Sequence, residues 1–258
     1  MTASSASPSL AERLRRDETI VTAWSSLAVP LLAEALGRSG YGAVTLDMQH
    51  GQHDIASVRE GIAATRLSGA HSVVRTPVDD FASVSRVLDF GAEAVIMPMV
   101  NSVDDALALV GAAKYPPMGA RSWGPHRAAM LKGESPAAYL AGANRETLTL
   151  AMIETPAALE ALDEILAVDG LDGVFVGPGD LSLTLSGGAE VVPGSDQVQT
   201  VAADIAARTR AAGKIAGIFC NAAKDARGAQ KMGFRFMAHG VDMSLLMEAA
   251  GAASAVLD

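Results

Sequence analysis

The stretch GVFVGPGDL, residues 173–181, decides the fold class. Its first four residues are mostly apolar and are typical of a strand buried in a parallel sheet. The turn Gly177-Pro178-Gly179 follows, and Asp180 stands at its exit. Glycines leave room for a small ligand to approach the backbone, and barrel enzymes carry carboxylates at the carboxyl ends of their strands. On its own, a Gly-Pro-Gly-Asp sequence is more often only a turn.

The same pattern of a short apolar run followed by a polar exit recurs along the chain. Eight such strands are predicted: Thr19–Trp24, Ala43–Asp47, Ser72–Arg75, Ala94–Met97, Leu148–Ile153, Gly173–Val176, Lys214–Phe219 and Phe234–Ala238. Alternation of strand and helix over this length predicts an α/β fold, a (β/α)8 TIM barrel. The alternative is a doubly wound open sheet. It usually carries a glycine-rich phosphate loop after its first strand, where this chain reads Trp24-Ser25-Ser26-Leu27.

Helical periodicity fills most of the gaps between these strands. The predicted helices are Leu10–Arg16, Pro30–Arg38, Ile55–Leu67, Phe81–Leu88, Val103–Lys114, Pro156–Val168, Gln197–Ala212 and Ala222–Lys231. Glycines stand where helices should end, at Gly69, Gly91, Gly170, Gly213 and Gly233. We therefore expect residues 1–18 to form a tail and a short N-terminal helix, and residues 19–258 to form a single barrel domain.

Three segments lie outside this regular alternation. Residues 115–147 form a long connection that carries Arg121, Trp123, His126 and Arg127, and residues 186–196 form a second loose loop. Connections of such length are usually functional or cover a site. The stretch 243–257 is apolar and alanine-rich, which fits a C-terminal helix packed on another subunit.

Composition excludes several classes of protein. A net charge of −9 and a pI near 5.0 argue against nucleic acid and anionic membranes as partners. The single cysteine, Cys220, excludes an internal disulfide and fits a reducing compartment. No apolar run is long enough to span a membrane, and the first residues lack the order of a signal peptide. A cytoplasmic location is expected.

Polar residues follow four of the predicted strands. Strand two exits into Asp47-Met48-Gln49-His50, strand three ends at Arg75, and strands five and six lead into Glu154 and Asp180. In a barrel these exits converge on one face. Two carboxylates without cysteine or clustered histidine favour Mg²⁺ or Mn²⁺ over zinc.

This set of residue types suits carbon–carbon bond chemistry next to a carbonyl. A 2-oxo acid can chelate such a cation, which would polarise the ketone and stabilise an enolate. Arg75 can hold the developing negative oxygen, and His50 can move a proton near neutral pH.

Each candidate also has a structural interpretation. Glu154 can be a helix-start acid, Arg75 a partner of a neighbouring acid, and His50 a surface histidine. Asp47 either orients His50, holds water near the metal or satisfies backbone groups. The remaining candidates, His53, His71, His239 and Asp89, are taken on position alone as structural.

A Schiff-base aldolase is the rival mechanism, and it requires a lysine at the barrel mouth. None of the five lysines falls at the carboxyl end of a predicted strand: Lys114, Lys132, Lys214, Lys224 and Lys231. The metal mechanism is therefore preferred.

The sequence from about Trp24 to Asp242 resembles the HpcH/HpaI family of class II, metal-dependent pyruvate aldolases. That family includes 4-hydroxy-2-oxoheptanedioate and 2-dehydro-3-deoxyglucarate aldolases. The matching pieces are LDMQH (46–50), VVRTP (73–77), VLDFGAEAVIMPMV (87–100), KYPPMGARS (114–122), MIETPAAL (152–159) and LDGVFVGPGDLS (171–182). The resemblance implies a TIM barrel whose last helix is exchanged between subunits of a hexamer, a trimer of dimers.

The resemblance also implies roles for individual residues. Metal ligands fall on Glu154 and Asp180, with Mg²⁺ or Mn²⁺ expected and Co²⁺ a third candidate. The base falls on His50, the enolate-stabilising arginine on Arg75, and the acid that raises the basicity of the histidine on Asp89. This implied role for Asp89 replaces the structural interpretation. The backbone at Gly179 and Asp180 would meet the carboxylate of the 2-oxo acid, and we expect Trp24 and Trp123 to bound the substrate.

The chain departs from the family at three places. It reads Met48-Gln49 where the family often has Gly-Glu, and Met152 where a glutamine is usual. The segment 122–127, with Trp123, also differs and can reshape the aldehyde pocket. Hydroxypyruvate in place of pyruvate is therefore one hypothesis for the donor.

The expected function is the reversible cleavage of 4-hydroxy-2-oxo acids to pyruvate, or hydroxypyruvate, and an aldehyde. Two alternatives stay open at this point. One is a related enolate-forming lyase or 2-oxo acid decarboxylase on the same site. The other is a non-catalytic barrel that binds a metabolite.

Overall fold

The computed structural model describes residues 8–255, in which eight parallel strands form a closed barrel. Neighbouring strands pair in chain order, and the last strand pairs with the first. This confirms the predicted barrel and excludes the open sheet. The strands are β1 (Ile20–Ser25), β2 (Ala43–Asp47), β3 (His71–Arg75), β4 (Ala94–Met97), β5 (Leu148–Ile153), β6 (Gly173–Val176), β7 (Ile215–Phe219) and β8 (Phe236–Val241).

Residues along each strand alternate between two apolar layers. On β5, Leu148, Leu150 and Met152 face the barrel interior, whereas Ala151 and Ile153 pack in the layer shared with the helices. All of these side chains are buried. Burial on both faces explains why the strands read as continuous apolar runs in the sequence.

Thirteen helices surround the barrel in residues 8–255. Their bounds are α1 (Leu10–Arg15), α2 (Pro30–Arg38), α3 (Ile55–Leu67), α4 (Phe81–Phe90), α5 (Val103–Ala113), α6 (His126–Lys132), α7 (Pro136–Glu146), α8 (Pro156–Glu160), α9 (Leu162–Leu166), α10 (Pro178–Leu185), α11 (Asp196–Ala211), α12 (Ala223–Met232) and α13 (Asp242–Ser254). The five glycines predicted at helix ends all have positive φ. Gly91 and Gly233 are left-handed C-caps of α4 and α12.

Several predicted elements differ from the structure. Pro178 is the first residue of α10, so the predicted tight turn is instead the first turn of a helix. The predicted helix Pro156–Val168 divides at Ala161 into α8 and α9. Strand β8 continues to Val241, past a shift in its register with β1, and Gly240 takes a φ of +83° near this irregularity. This left-handed conformation favours glycine, and a Cβ at Gly240 would also have to displace the hydroxyl of Tyr41, which lies 2.3 Å from its position.

The long connection 115–147 is not a structureless loop. It contains α6 and α7, which bury Ala128, Ala129, Tyr139 and Ala143 together with Tyr115 in a separate small cluster. Alanine-rich faces of this kind carry a weak periodic signal.

The two ends of the chain differ in how they pack. Leu10, Ala11 and Leu14 of α1 are buried with the interior strand residues and close the N-terminal end of the barrel. In α13 only Asp242 is buried, and Leu246 and Met247 are exposed. Residues 1–7 of the predicted N-terminal tail lie outside the described residues. No helix among residues 8–255 has the length and apolar character to cross a membrane.

Candidate active site

Glu154 follows β5 at the carboxyl end of the barrel and is 1% exposed. Its Oε2 accepts a hydrogen bond from the backbone N–H of Met99 at 3.0 Å, whereas its Oε1 is buried without a partner in residues 8–255. Burial, reinforced by the negative charge of Asp180, raises the pKa of Glu154 to about 7. Within the described residues, one oxygen of this buried carboxylate therefore has a hydrogen-bond donor and the other has none.

The backbone after β6 is shaped around this carboxylate. A Cβ at Gly177 would lie 2.2 Å from Glu154 Oε1, so any larger residue there would have to displace the Glu154 carboxylate. At Gly179 a Cβ would meet no atom within 4 Å, which means that this residue borders open space. Asp180 lies in the first turn of α10, where the helix dipole favours a negative charge.

Arg75 ends β3 and is held rigidly. Its Nε and Nη2 donate to the two oxygens of Asp47 at 2.8 and 2.6 Å. Trp24 Nε1 donates to the same carboxylate at 3.2 Å, and the Arg75 guanidinium lies 4.9 Å from the Trp24 ring centroid. Burial opposes the charge on Asp47, but the hydrogen bond and charge of Arg75 lower its pKa. Nη1 is the guanidinium nitrogen that Asp47 leaves free.

His50 lies in the loop after β2 and is exposed. Asp47 Oδ1 accepts from the backbone N–H groups of Gln49 at 3.0 Å and of His50 at 3.4 Å. The Asp47 carboxylate thus binds the Arg75 side chain and satisfies backbone N–H groups of the loop that carries His50. A role for Asp47 in orienting the imidazole of His50, or in holding water near a metal, stays a prediction.

These groups converge on one cavity of about 360 Å³ at the carboxyl end of the barrel. Seven of the residues singled out in the sequence line it: Trp24, Asp47, His50, Arg75, Glu154, Gly179 and Asp180. Its other walls include Met152, Phe175 and Phe219, which are apolar. The cavity thus joins an acidic pair, a fixed guanidinium and an imidazole in a partly apolar space.

The profile of the HpcH/HpaI aldolase/citrate lyase family matches residues 21–249 of this sequence. The chain belongs to that family. It is an aldolase, a carbon–carbon lyase. A hydroxypyruvate/pyruvate aldolase of Rhizorhabdus wittichii is 43% identical over 88% of this chain and 89% of the relative.

Solved structures agree with the fold of the aldolase. An HpcH/HpaI aldolase from Desulfitobacterium hafniense superposes with a TM-score of 0.89 at 26% identity, over 97% of both chains. The protein CitE from Mycobacterium tuberculosis, solved with magnesium and acetate, has a TM-score of 0.57 at 20% identity, over 87% of this chain and 86% of the other.

The residues of the aldolase fit a hard divalent cation. Glu154 Oε1 is an unpartnered buried oxygen, and Asp180 adds a second carboxylate on the same cavity. Oxygen donors of this kind suit Mg²⁺ or Mn²⁺. Among residues 8–255, no three His, Cys, Asp or Glu side chains form a metal-binding group. The fit therefore rests on the two carboxylates.

Two predicted site residues do not line the cavity of this chain. Asp89 lies near the end of α4, where its carboxylate accepts from Arg121 Nη2 at 2.5 Å. Trp123 is 45% exposed and packs against Tyr115 and Tyr139. Within a single chain, therefore, Trp123 does not line the cavity that it was predicted to bound, and Asp89, predicted to raise the basicity of His50, does not line it either.

Sequence reasoning missed other residues at the site. Met99 has a φ of +56°, a left-handed conformation uncommon outside glycine, and this places its N–H on Glu154. Ser26, Asn221 and Val241 also line the cavity. Ser26 and Asn221 follow β1 and β7, and Val241 is the last residue of β8, so the rule that strand exits converge would have found them had it been applied to every strand.

The lysines lie away from the cavity in the described part of the chain. Lys114 Nζ donates to carbonyl oxygens of Asn144 and Thr147, and Lys214 Nζ donates to those of Val168 and Leu171. Both groups lie at the N-terminal end of the barrel. This arrangement agrees with the preference for a metal mechanism over a Schiff base.

Proposed function

We propose that this aldolase catalyses the reversible, divalent-metal-dependent cleavage of 4-hydroxy-2-oxo acids to pyruvate or hydroxypyruvate and an aldehyde. The observation that carries the proposal is the buried Glu154 carboxylate with an unpartnered oxygen, beside Asp180 in a cavity that Arg75 also lines. The name of the relative from Rhizorhabdus wittichii supports the choice of these two donors.

Glu154 and Asp180 would hold the cation, with Mg²⁺ or Mn²⁺ expected and Co²⁺ a third candidate. A cation bound there supplies Lewis acidity, which polarises the ketone of the 2-oxo acid and stabilises the charge of the enolate. The Gly179 backbone, in the first turn of α10, would donate to the substrate carboxylate.

Arg75 would stabilise the negative oxygen that develops on the former ketone. Its Nη1 is free to donate, while Asp47 fixes the other two nitrogens and Trp24 supports the guanidinium plane. A donor that is held in place before the reaction costs no reorganisation when charge develops.

His50 would move the proton. In cleavage it accepts the proton of the C4 hydroxyl as the C3–C4 bond breaks, the aldehyde leaves, and the bonding electrons pass into the enolate. Protonation of the enolate at C3 then gives the 2-oxo acid. In synthesis the same proton is returned to the new alkoxide.

Met152 affects which 2-oxo acid, pyruvate or hydroxypyruvate, the site is expected to prefer. This apolar side chain lines the cavity where the family usually has glutamine, which removes a polar contact to the bound acid. Hydroxypyruvate as the preferred donor stays a hypothesis, and a clearly higher kcat/KM for pyruvate would contradict it.

We also propose the hexameric assembly, a trimer of dimers, with α13 exchanged between subunits. The exposed apolar residues Leu246 and Met247 support a helix that packs on another copy. The role expected of Asp89 requires a second copy as well, because Asp89 does not line the cavity of its own chain and bonds Arg121 instead. Light scattering of the purified protein tests the assembly, and a monomer would contradict it.

A cytoplasmic location of the protein likewise stays a prediction.

Proton exchange into the donor tests the proposed activity without knowledge of the aldehyde. The protein is incubated with pyruvate, or with hydroxypyruvate, in D₂O with Mg²⁺ or Mn²⁺, and loss of the C3 proton signal is followed by NMR. Exchange that stops on addition of a chelator is the expected result. No exchange with either acid and any metal would overturn the proposal.

Product analysis separates the remaining alternatives. An aldehyde without CO₂ indicates an aldolase, whereas release of CO₂ indicates a decarboxylase on the same site. Tight binding of a 2-oxo acid without proton exchange would indicate a non-catalytic barrel.

A further inference from the structure

Asp242 is a buried carboxylate that the proposed mechanism does not use. It is the first residue of α13 and is 5% exposed, in a helix whose other described side chains are not buried. Its oxygens accept six hydrogen bonds from five donors: Ser26 N (3.0 Å to each oxygen), Ser26 Oγ (2.5 Å), Leu27 N (2.9 Å), Met243 N (2.7 Å) and Ser25 Oγ (3.2 Å).

Most of these donors come from the opposite end of the chain. An acidic residue at a helix start ordinarily accepts from its own first turn. Here only Met243 belongs to α13, and the others lie at the exit of β1, more than 200 residues away in sequence. Asp242 therefore joins the C-terminal helix to a loop of the active-site face.

The β1 exit loop in turn holds the loop that carries His50. The Ser26 carbonyl accepts from Gln52 N at 2.7 Å, and Ser25 Oγ lies 3.0 Å from His53 Nε2. Both contacts are made within three residues of His50. Ser26 itself lines the cavity. One carboxylate thus anchors two neighbouring loops at the cavity mouth.

The anchor is charged at neutral pH. Burial alone would raise the pKa of Asp242, but the hydrogen bonds donated by Ser26, Leu27 and Met243 outweigh it and lower the pKa. Hydrogen bonds to an ionised acceptor are stronger than those between neutral groups.

We propose that Asp242 is a positioning residue of the aldolase reaction. It fixes the β1 exit loop against the start of α13, and through Ser25 and Ser26 it holds the 50–53 segment so that His50 faces the cavity. The catalytic part of this inference rests on the proposed function, whereas the coupling between the loops does not. A consequence is that the seating of α13 affects the position of His50.

The test compares Asp242→Asn with Asp54→Asn. Asp54 is also a carboxylate at a helix start on the same face, but it accepts from its own helix at Ser57 and does not contact the β1 exit loop. Asparagine is as good an N-cap as aspartate, so the control changes the same charge without changing the cap. Thermal unfolding of both variants gives the folded fraction.

Amide hydrogen exchange is the readout that does not need turnover. In Asp242→Asn we expect protection of peptides covering residues 24–29 and 48–53 to fall at least about tenfold, with other barrel strands unchanged. Asp54→Asn should leave the 24–29 peptide at wild-type protection. Unchanged protection of residues 48–53 in Asp242→Asn would overturn the inference.

Turnover gives the catalytic readout. In Asp242→Asn we expect kcat to fall at least about tenfold, because small misplacements of a catalytic group are costly, while the Mg²⁺ activation constant stays within about twofold. Wild-type kcat together with loss of thermal stability would show a purely structural role and overturn the proposal.

Ser25→Ala is the second variant if Asp242→Asn does not fold. It removes the Oγ contacts that join Asp242 to His53, together with a long 3.4 Å contact to the Leu27 carbonyl, and leaves the other hydrogen bonds of Asp242 in place. We expect a milder loss of protection over residues 48–53 and a kcat reduced about threefold. Wild-type protection and kcat in Ser25→Ala would then contradict the inference. An inactive wild-type protein would contradict the proposed function but not the coupling. Hydrogen exchange would still decide whether Asp242 couples the β1 exit loop to the 50–53 segment.

Discussion

The two ends of the barrel differ in how many hydrogen-bond and ion-pair partners their buried charged side chains have. At the N-terminal end, Lys114 is 1% exposed, and its Nζ donates to two carbonyl oxygens and to Asp172 at 2.7 Å. Asp172 also accepts from Arg15 and from the N–H and hydroxyl of Thr149. At the carboxyl end, Glu154 is equally buried but receives one backbone hydrogen bond.

The difference separates stability from function. Charges at the N-terminal end are satisfied within the protein, as buried charges must be if the fold is to be stable. At the carboxyl end, Glu154 Oε1 has no hydrogen-bond partner among residues 8–255, and burial raises the pKa of this carboxyl to about 7. A buried group that the protein itself does not satisfy is the expected mark of a site that a ligand completes.

The largest expected effect comes from removing the charge of Glu154. Glu154→Gln should reduce metal-dependent proton exchange by at least about a thousandfold, or about 4 kcal/mol of transition-state stabilisation, since a neutral amide cannot replace a carboxylate ligand. The thermal midpoint of the metal-free protein should stay the same or rise, because the amide has no charge to desolvate. NMR exchange and circular dichroism measure the two quantities, and retained activity would contradict the site assignment.

The same type of substitution at the other end should do the reverse. Asp172→Asn leaves Lys114 without its counter-charge, so the free energy of unfolding should fall by about 3 kcal/mol. The exchange rate per folded molecule should equal that of the wild type. Urea unfolding and NMR exchange at low temperature check this, and a specific loss of rate would show that the two ends are coupled.

Alanine substitutions at two glycines of the site distinguish metal binding from substrate binding. Gly177→Ala would place a Cβ against Glu154 Oε1 and should weaken metal affinity about tenfold or more. Gly179→Ala would place a Cβ in open space beside the cavity, so the KM for the 2-oxo acid should rise about tenfold with metal affinity unchanged. Calorimetric titration with Mn²⁺ and steady-state kinetics separate the two effects. Equal changes in both variants would contradict the distinct surroundings described for the two glycines.

The smallest expected effect is that the stabilisation of the protein by a bound metal ion depends on pH. The pKa of Glu154 is raised to about 7 in the folded protein, above the usual value of 4.5, so the metal-free fold loses stability as pH rises from about 4.5 to 7. A bound cation removes that penalty, but below pH 7 it must displace a proton. The rise in melting temperature on adding Mg²⁺ should therefore be a few degrees larger at pH 8 than at pH 6. A larger rise at pH 6 would contradict the shifted pKa.

Much of this molecule follows from local patterns in the sequence. The bounds of β2, β4, β5 and β6 and of α2 and α3 are as predicted, because their apolar runs are bordered by a cap or a polar exit. Seven site residues could be named from the strand-exit rule and the resemblance to the family. Their side chains lie on one cavity since parallel strands of a barrel end at the same face.

What sequence reasoning missed depends on contacts between distant segments. Met99 binds Glu154 through its backbone, which no residue pattern indicates. Asp242 finds its partners more than 200 residues away, and the alanine-rich helices α6 and α7 take their stability from tertiary packing. The placement of Asp89 and Trp123 differs for a related reason, because a single chain does not bring them to the cavity.

Trp24 gives the molecule an internal optical reporter. The chain has two tryptophans, of which Trp24 is 4% exposed at the cavity and Trp123 is 45% exposed on the surface. Iodide should quench the emission of Trp123 selectively, which leaves the blue-shifted emission of Trp24. The Trp24 indole donates to Asp47 and lies under the Arg75 guanidinium. Its fluorescence will therefore register a 2-oxo acid that engages Arg75, so occupancy can be followed in real time without labels or turnover.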